Sequence, residues 1–200
     1  MKKNFLLLLS LVLLTSFIQN ETTDEQYLNN ILQEIVASDE TILEKNHKLV
    51  DGFNSALQIP ARFYLDEEYL DKLSPYFKKE DIEFYRSQIT KNSKVKLLKK
   101  GVFKEYEFIR RKKIVNFIAK VESDYVKEKE FDYDKLFNKK IGAIQEFGLP
   151  LVSKDGKFVV IRFFKMSSSK ANKGFIRIYE RVNENWVLRE VVQEWNNEKK

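Results

Sequence analysis

Residues 148–195 limit what this chain can fold into more than any other stretch. They run GLPLVSKDGKFVVIRFFKMSSSKANKGFIRIYERVNENWVLREVVQEW. Ser153-Lys154-Asp155-Gly156-Lys157 reads as a turn whose glycine takes positive φ. The apolar run that follows, Phe158 to Met166, is broken at Arg162 and reads as a strand buried on both faces. Residues 167–174 form a polar loop. In the next strand Ile176, Ile178 and Val182 share one face, and Phe175, Arg177, Tyr179 and Arg181 share the other. Asn183-Glu184-Asn185 turns the chain again. Simple alternation in the last strand places Val187, Val191 and Trp195 on one face and Trp186, Leu188, Glu190, Val192 and Glu194 on the other. The expected product is a twisted antiparallel meander of three or four strands, beginning near residue 144.

Such a sheet needs a cover, and the preceding segments supply apolar faces at helical spacing. Thr22-x-x-Glu25 and Thr23-x-x-Gln26 fit a capping box. Tyr27, Leu28, Ile31, Leu32, Ile35 and Val36 then form one stripe. Ser38 is placed to cap a second helix carrying Ile42, Leu43, Leu49, Val50 and Phe53 inward. After Pro60, a short helix holds Tyr69, Leu70 and Leu73. Ser74-Pro75 starts a further amphipathic helix with Phe77, Ile82, Tyr85 and Ile89. Residues 114–126 fit helix and strand equally well. Residues 133–140 read as one short helix, ending near Gly142.

The N-terminus carries a different signal. Lys2 and Lys3 precede an uncharged apolar run from Phe5 to Ile18. A basic start and a run this short fit a secretory signal over 1–20, because a membrane span needs about 20 apolar residues. The mature chain, 21–200, is then expected outside the cytoplasm, periplasmic or secreted, with no transmembrane span. Its parts are a helical section at about 22–90, a basic connector at about 91–113 and a sheet at about 144–195. Loss of the two lysines lowers the formal net charge from +6 to +4. The chain has no cysteine, which excludes disulfides, thiolate ligands, a cysteine nucleophile and lipid attachment through cysteine.

Candidate chemistry is sparse. His47 is the single histidine, so any histidine-dependent base must be this residue and a multi-histidine metal site is excluded. Its position near an apolar helix margin suits an ordinary boundary residue. Glu190 and Glu194, expected on one strand face beside Trp186, form the remaining carboxylate pair for acid–base work on carbohydrate. The same carboxylates equally suit structural pairing with Arg177 and Arg181. Residues 91–113 are rich in lysine and arginine, including Lys99, Lys100, Arg110 and Arg111, with Phe103, Tyr106 and Phe108 interleaved. That pattern suits a polyanion or anionic surface, or more simply a solvated connection or a lysine-protected edge strand. Export argues against nucleic acid. No phosphate loop, dinucleotide glycine motif, zinc pattern or nucleophile elbow occurs, so no metal and no cofactor is expected.

The ending LPLVSKDGKFVVIRFF, a glycine-containing loop, and GFIRIYERVNENWVLREVVQEW resembles the C-terminal part of small secreted proteins found in Bacteroidota. KKEDIEFYRSQI is similar to their mid-chain helix. Residues 167–173 depart from that pattern, lacking its small Gly/Cys cluster. The resemblance implies export and a sheet-closing C-terminus, and no activity. The expected fold is α+β, with N-terminal helices packed on a C-terminal antiparallel meander, a layout that also allows a cystatin- or NTF2-like cone. The expected function is a non-catalytic exported protein binding a partner or envelope component. The alternatives are a carboxylate-dependent hydrolase of carbohydrate and a polyanion binder.

Overall fold

A computed structural model of the chain describes residues 24–52, 67–92, 98, 101, 103–125, 132–168 and 171–197. The leader expected at 1–20, the capping box at Thr22 and Thr23, Phe53, Pro60, Lys99 and Lys100 lie outside these residues. The fold is α+β. Its sheet has seven strands: β1 (Lys48–Val50), β2 (Phe108–Ile109), β3 (Ile144–Phe147), β4 (Leu151–Val152), β5 (Phe158–Met166), β6 (Asn172–Val182) and β7 (Asn185–Asn196). Their order is β2-β1-β3-β5-β6-β7, with β4 also pairing β5. The expected antiparallel meander is present in β5, β6 and β7. Two short strands from the front half extend the sheet, both pairing parallel, so it is mixed.

Five helices are described: α1 (Asp24–Ser38), α2 (Glu67–Leu73), α3 (Ile82–Asn92), α4 (Arg111–Tyr125) and α5 (Tyr133–Lys140). They cover both sides of the sheet. On the first face α1 buries Leu28, Ile31, Leu32 and Ile35 against Phe147, Val159, Ile161, Phe163, Tyr179 and Trp186. Those four side chains supply about 6–12 kcal/mol of gross apolar burial, an upper bound because an unfolded chain is already partly collapsed. On the second face Leu70, Leu73, Phe77 and Tyr85 pack on Leu151, Val160, Ile176 and Ile178. Beside them α4 buries Ile114, and α5 with the residue that caps it buries Phe137 and Ile141, against Val50, Ile109 and Ile144.

Two sequence expectations are corrected and one open segment is resolved. Residues 39–52 do not make the expected second helix. Ser38 ends α1 with its hydroxyl 2.9 Å from the carbonyls of both Ile35 and Trp186, which share its one proton, and residues 39–47 turn into β1. Pro75 does not open a helix, because α3 starts only at Ile82 after a 3-10 turn over Lys79–Asp81. The ambiguous segment at 114–126 lies in α4 through Tyr125. The basic connector also contains structure: Leu98, Phe103 and Ile109 are buried, and β2 forms one edge of the sheet.

Strand β7 forms the other edge. Its register against β6 shifts between Ile176 and Arg177 and again between Ile178 and Tyr179. Each shift inserts one extra residue in β7, Val192 and Arg189 respectively. Bulges of this kind bend an edge and spoil its regular ladder, which protects a 12-residue edge strand from pairing with another chain.

Candidate functional site

The two bulges decide where the charges of β7 point. Directly paired residues share a sheet face. Trp186, Leu188, Val191 and Glu194 pair with Arg181, Tyr179, Arg177 and Phe175, which places them on the α1 face. Glu190 pairs with Ile178 on the opposite face. The expectation that Glu190 and Glu194 share a face is therefore corrected: each bulge shifts the parity of the strand by one. The Trp186 ring is not displayed beside a carboxylate either. It is 2% exposed, packed in the core under α1, with the Arg181 guanidinium 5.9 Å from its ring centre.

A cleft of about 320 Å³ opens on the α1 face, beyond the end of that helix. Lys165, Lys173 and Arg177 enter it from β5 and β6, Glu194 from β7, and Thr41 and Glu44 from the 39–47 turn. Phe163 and Phe175 line it as well, while the Trp195 ring packs on the opposite face, over Gly174 and beside Arg162. Lys165 lies here because it continues the inward parity of Val159, Ile161 and Phe163 along β5. Only 8% of its side chain is exposed. Lys173 is its direct cross-strand partner, so two like charges stand opposite each other. That arrangement is unfavourable without an anion.

Glu44 answers it. One of its oxygens, Oε1, lies 2.8 Å from Lys165 Nζ and 3.0 Å from Lys173 Nζ. Its other oxygen lies 3.1 Å from His47 Nδ1. Burial pushes the carboxyl up, but the hydrogen bonds from Lys165 and Lys173 and their charge outweigh it and hold its pKa at about 2. The turn bearing Glu44 is pinned by the fully buried Gln145 of β3. The Gln145 amide donates to the carbonyls of Glu44 and His47 and accepts from the Glu44 N–H.

Arg177 is fixed from the other side. Its Nη1 donates to Asp39 Oδ2 at 3.0 Å, and Nη2 lies 4.0 Å from Glu194 Oε1. Its guanidinium stacks 3.9 Å over the Phe175 ring. Asp39 Oδ2 also accepts from the Tyr179 hydroxyl at 3.3 Å, and burial pushes that phenol above its ordinary pKa. The Nε of Arg177 is buried with no hydrogen-bond partner among the described residues.

The other sequence candidates lie elsewhere. His47 is 8% exposed, tied to Asn46 and Glu44, and does not line the cleft. Arg181 is exposed near the β6–β7 turn. Arg111, expected in a basic binding stretch, is instead structural. Its Nη2 donates to Glu146 Oε2 and to the Gly52 carbonyl, each at 2.8 Å, and the Glu146 side chain is 1% exposed. Arg110 is exposed at the start of α4. The structure thus brings Arg177 and Glu194 together in one cleft and scatters the rest. It adds Asp39, Glu44, Lys165 and Lys173, which sequence reasoning missed. A lysine at core parity in an otherwise apolar central strand was the available signal for this site.

Among the described residues no three His, Asp or Glu side chains converge as a metal site, and no helix is long and apolar enough to cross a membrane. Comparison with protein-family models, with curated proteins and with solved structures found no match.

Proposed function

We propose that this is an exported, non-catalytic binding protein that holds a small envelope or extracellular component in the cleft above β5, β6 and β7. Export rests on the basic start and the apolar run Phe5 to Ile18. The observation that carries the binding reading is the fixed charge cluster. Glu44, Lys165, Lys173, Asp39 and Arg177 are held by mutual hydrogen bonds in a concave site with aromatic walls. Sites built this way recognise ligands by preplaced polar groups. Carboxylate-dependent hydrolysis has less support, because Glu190 and Glu194 fall on opposite faces and Glu44 is held ionised by two lysines. Polyanion binding through 91–113 also has less support, because Arg111 is committed to Glu146.

The test starts with N-terminal sequencing of protein released by its host, expected to begin near residues 17–21. That protein is then incubated with fractionated small molecules from envelope extract. Binding predicts a fraction that raises Tm and is recovered chemically unchanged. A fraction consumed by the protein, with consumption lost in Glu194→Gln, would establish a hydrolase instead. A retained Met1 would refute cleavage, and absence of any stabilising fraction would refute the binding reading.

A further inference from the structure

We infer that the cleft takes a small ligand bearing an oxyanion, carboxylate or phosphate, on an apolar body, with the oxyanion held by Lys165, Lys173 and Arg177. The inference rests on the binding reading above and adds the ligand's chemical class. The first support is the register of the sheet. Lys165 and Lys173 are directly opposed on β5 and β6, and both ammonium groups converge on one oxygen of Glu44. An ammonium has three donors; Lys165 gives one to Glu44 and one, at 3.5 Å, to the Thr41 carbonyl, which leaves a third for an acceptor in the cleft. The chain's own carboxylate therefore already marks the position and geometry of an oxyanion between the two strands.

The second support is Arg177. It is 14% exposed, its guanidinium carbon lies 3.9 Å from the Phe175 ring centre, and it lines the same cleft. A planar guanidinium held in this way is suited to forked contact with carboxylate or phosphate. The third is the wall. Phe163 and Phe175, on the same sheet face as Lys165 and Lys173, line the cleft. The three cations face Glu44, Glu194 and, behind Arg177, Asp39, so selection of an anion rests on the donors presented to the cleft rather than on net charge. The volume, about 320 Å³, lies at the low end of small-molecule sites, which limits the body to roughly one ring.

The test uses the full secreted chain, following tryptophan fluorescence and calorimetry as benzoate, phenyl phosphate, inorganic phosphate, phenol and benzylamine are titrated. Benzoate and phenyl phosphate should each bind about tenfold or more tightly than phenol and benzylamine, and binding should weaken as salt rises. Comparison of phenyl phosphate with inorganic phosphate reads the apolar body, and comparison of benzoate with phenyl phosphate chooses between the two oxyanions. Lys173→Met, at the rim, should lose about tenfold or more, while Arg189→Met, outside the cleft, should bind as the parent does. Circular dichroism confirms that both variants are folded. Equal binding of phenol and benzoate, no loss in Lys173→Met, or no binding of either anion would overturn the oxyanion assignment. If benzylamine or phenol binds and an envelope fraction still stabilises the protein, the binding reading survives while the oxyanion class fails. If no probe and no fraction binds, both fail.

Discussion

Replacing Glu44 by Gln removes the charge that two opposed lysines share, and its consequence depends on pH. The Glu44 carboxyl falls from an ordinary 4.5 to about 2. Each tenfold change in an ionisation constant is worth about 1.4 kcal/mol, so full expression of that fall would be about 3 kcal/mol. The side chain is 32% exposed, and solvent screening reduces the figure to about 1–2 kcal/mol. Because the folded pKa is depressed, this stability is present above about pH 4.5 and is lost as pH falls toward 2. Urea unfolding of the parent and of Glu44→Gln at pH 7, 4 and 2.5 reads the effect. The parent should be more stable by about 1–2 kcal/mol at pH 7, with the gap narrowing steadily on acidification. A gap that stays constant from pH 7 to 2.5 would refute the reasoning, since it would mean that the carboxylate's charge contributes nothing.

Three further outcomes follow from the packing. Gly174→Ala places a methyl 2.3 Å from the Trp195 ring and 2.4 Å from the Phe163 carbonyl oxygen, so the urea midpoint should fall by the equivalent of about 1–3 kcal/mol. Adding Trp195→Ala should not restore it, because the backbone contact remains. Gln145→Leu removes three hydrogen bonds that hold the Glu44 turn and should cost about 1–3 kcal/mol, with faster amide exchange at Glu44. Arg111→Met takes the guanidinium from the buried Glu146 carboxylate and should cost about 3–5 kcal/mol by chemical unfolding, far more than Arg110→Met at an exposed position.

The strand β5 and the turns flanking the meander are legible because their signals are local. A nine-residue strand with seven apolar residues, the positive-φ Gly156 and the turn at Asn183 and Glu184 need no distant partner to be recognised. The strands β1 and β2 are not legible. They are three and two residues long, and each exists only by parallel pairing with segments far away in sequence. The pairs Ile42, Leu43 and Leu49, Val50 are spaced seven apart, which imitates a helix face, yet β1 sends Leu49 to one core and Val50 to another. The bulges of β7 are likewise a property of register, so simple alternation assigned Glu190 to the wrong face. At the cleft, Arg177 was visible as a strand residue, but Glu44 reaches Lys165 across 121 positions of sequence, a contact that only the folded chain creates.

The central claim, that the cleft over β5, β6 and β7 is the ligand site, is tested most directly by mapping backbone amide shifts of the isotope-labelled chain as phenyl phosphate is added. The account predicts saturable shifts at Glu44, Lys165, Lys173, Arg177 and Asn196, with Lys104, Lys112 and Lys113 unmoved. Shifts confined to residues 104–113, with the cleft amides silent, would contradict it.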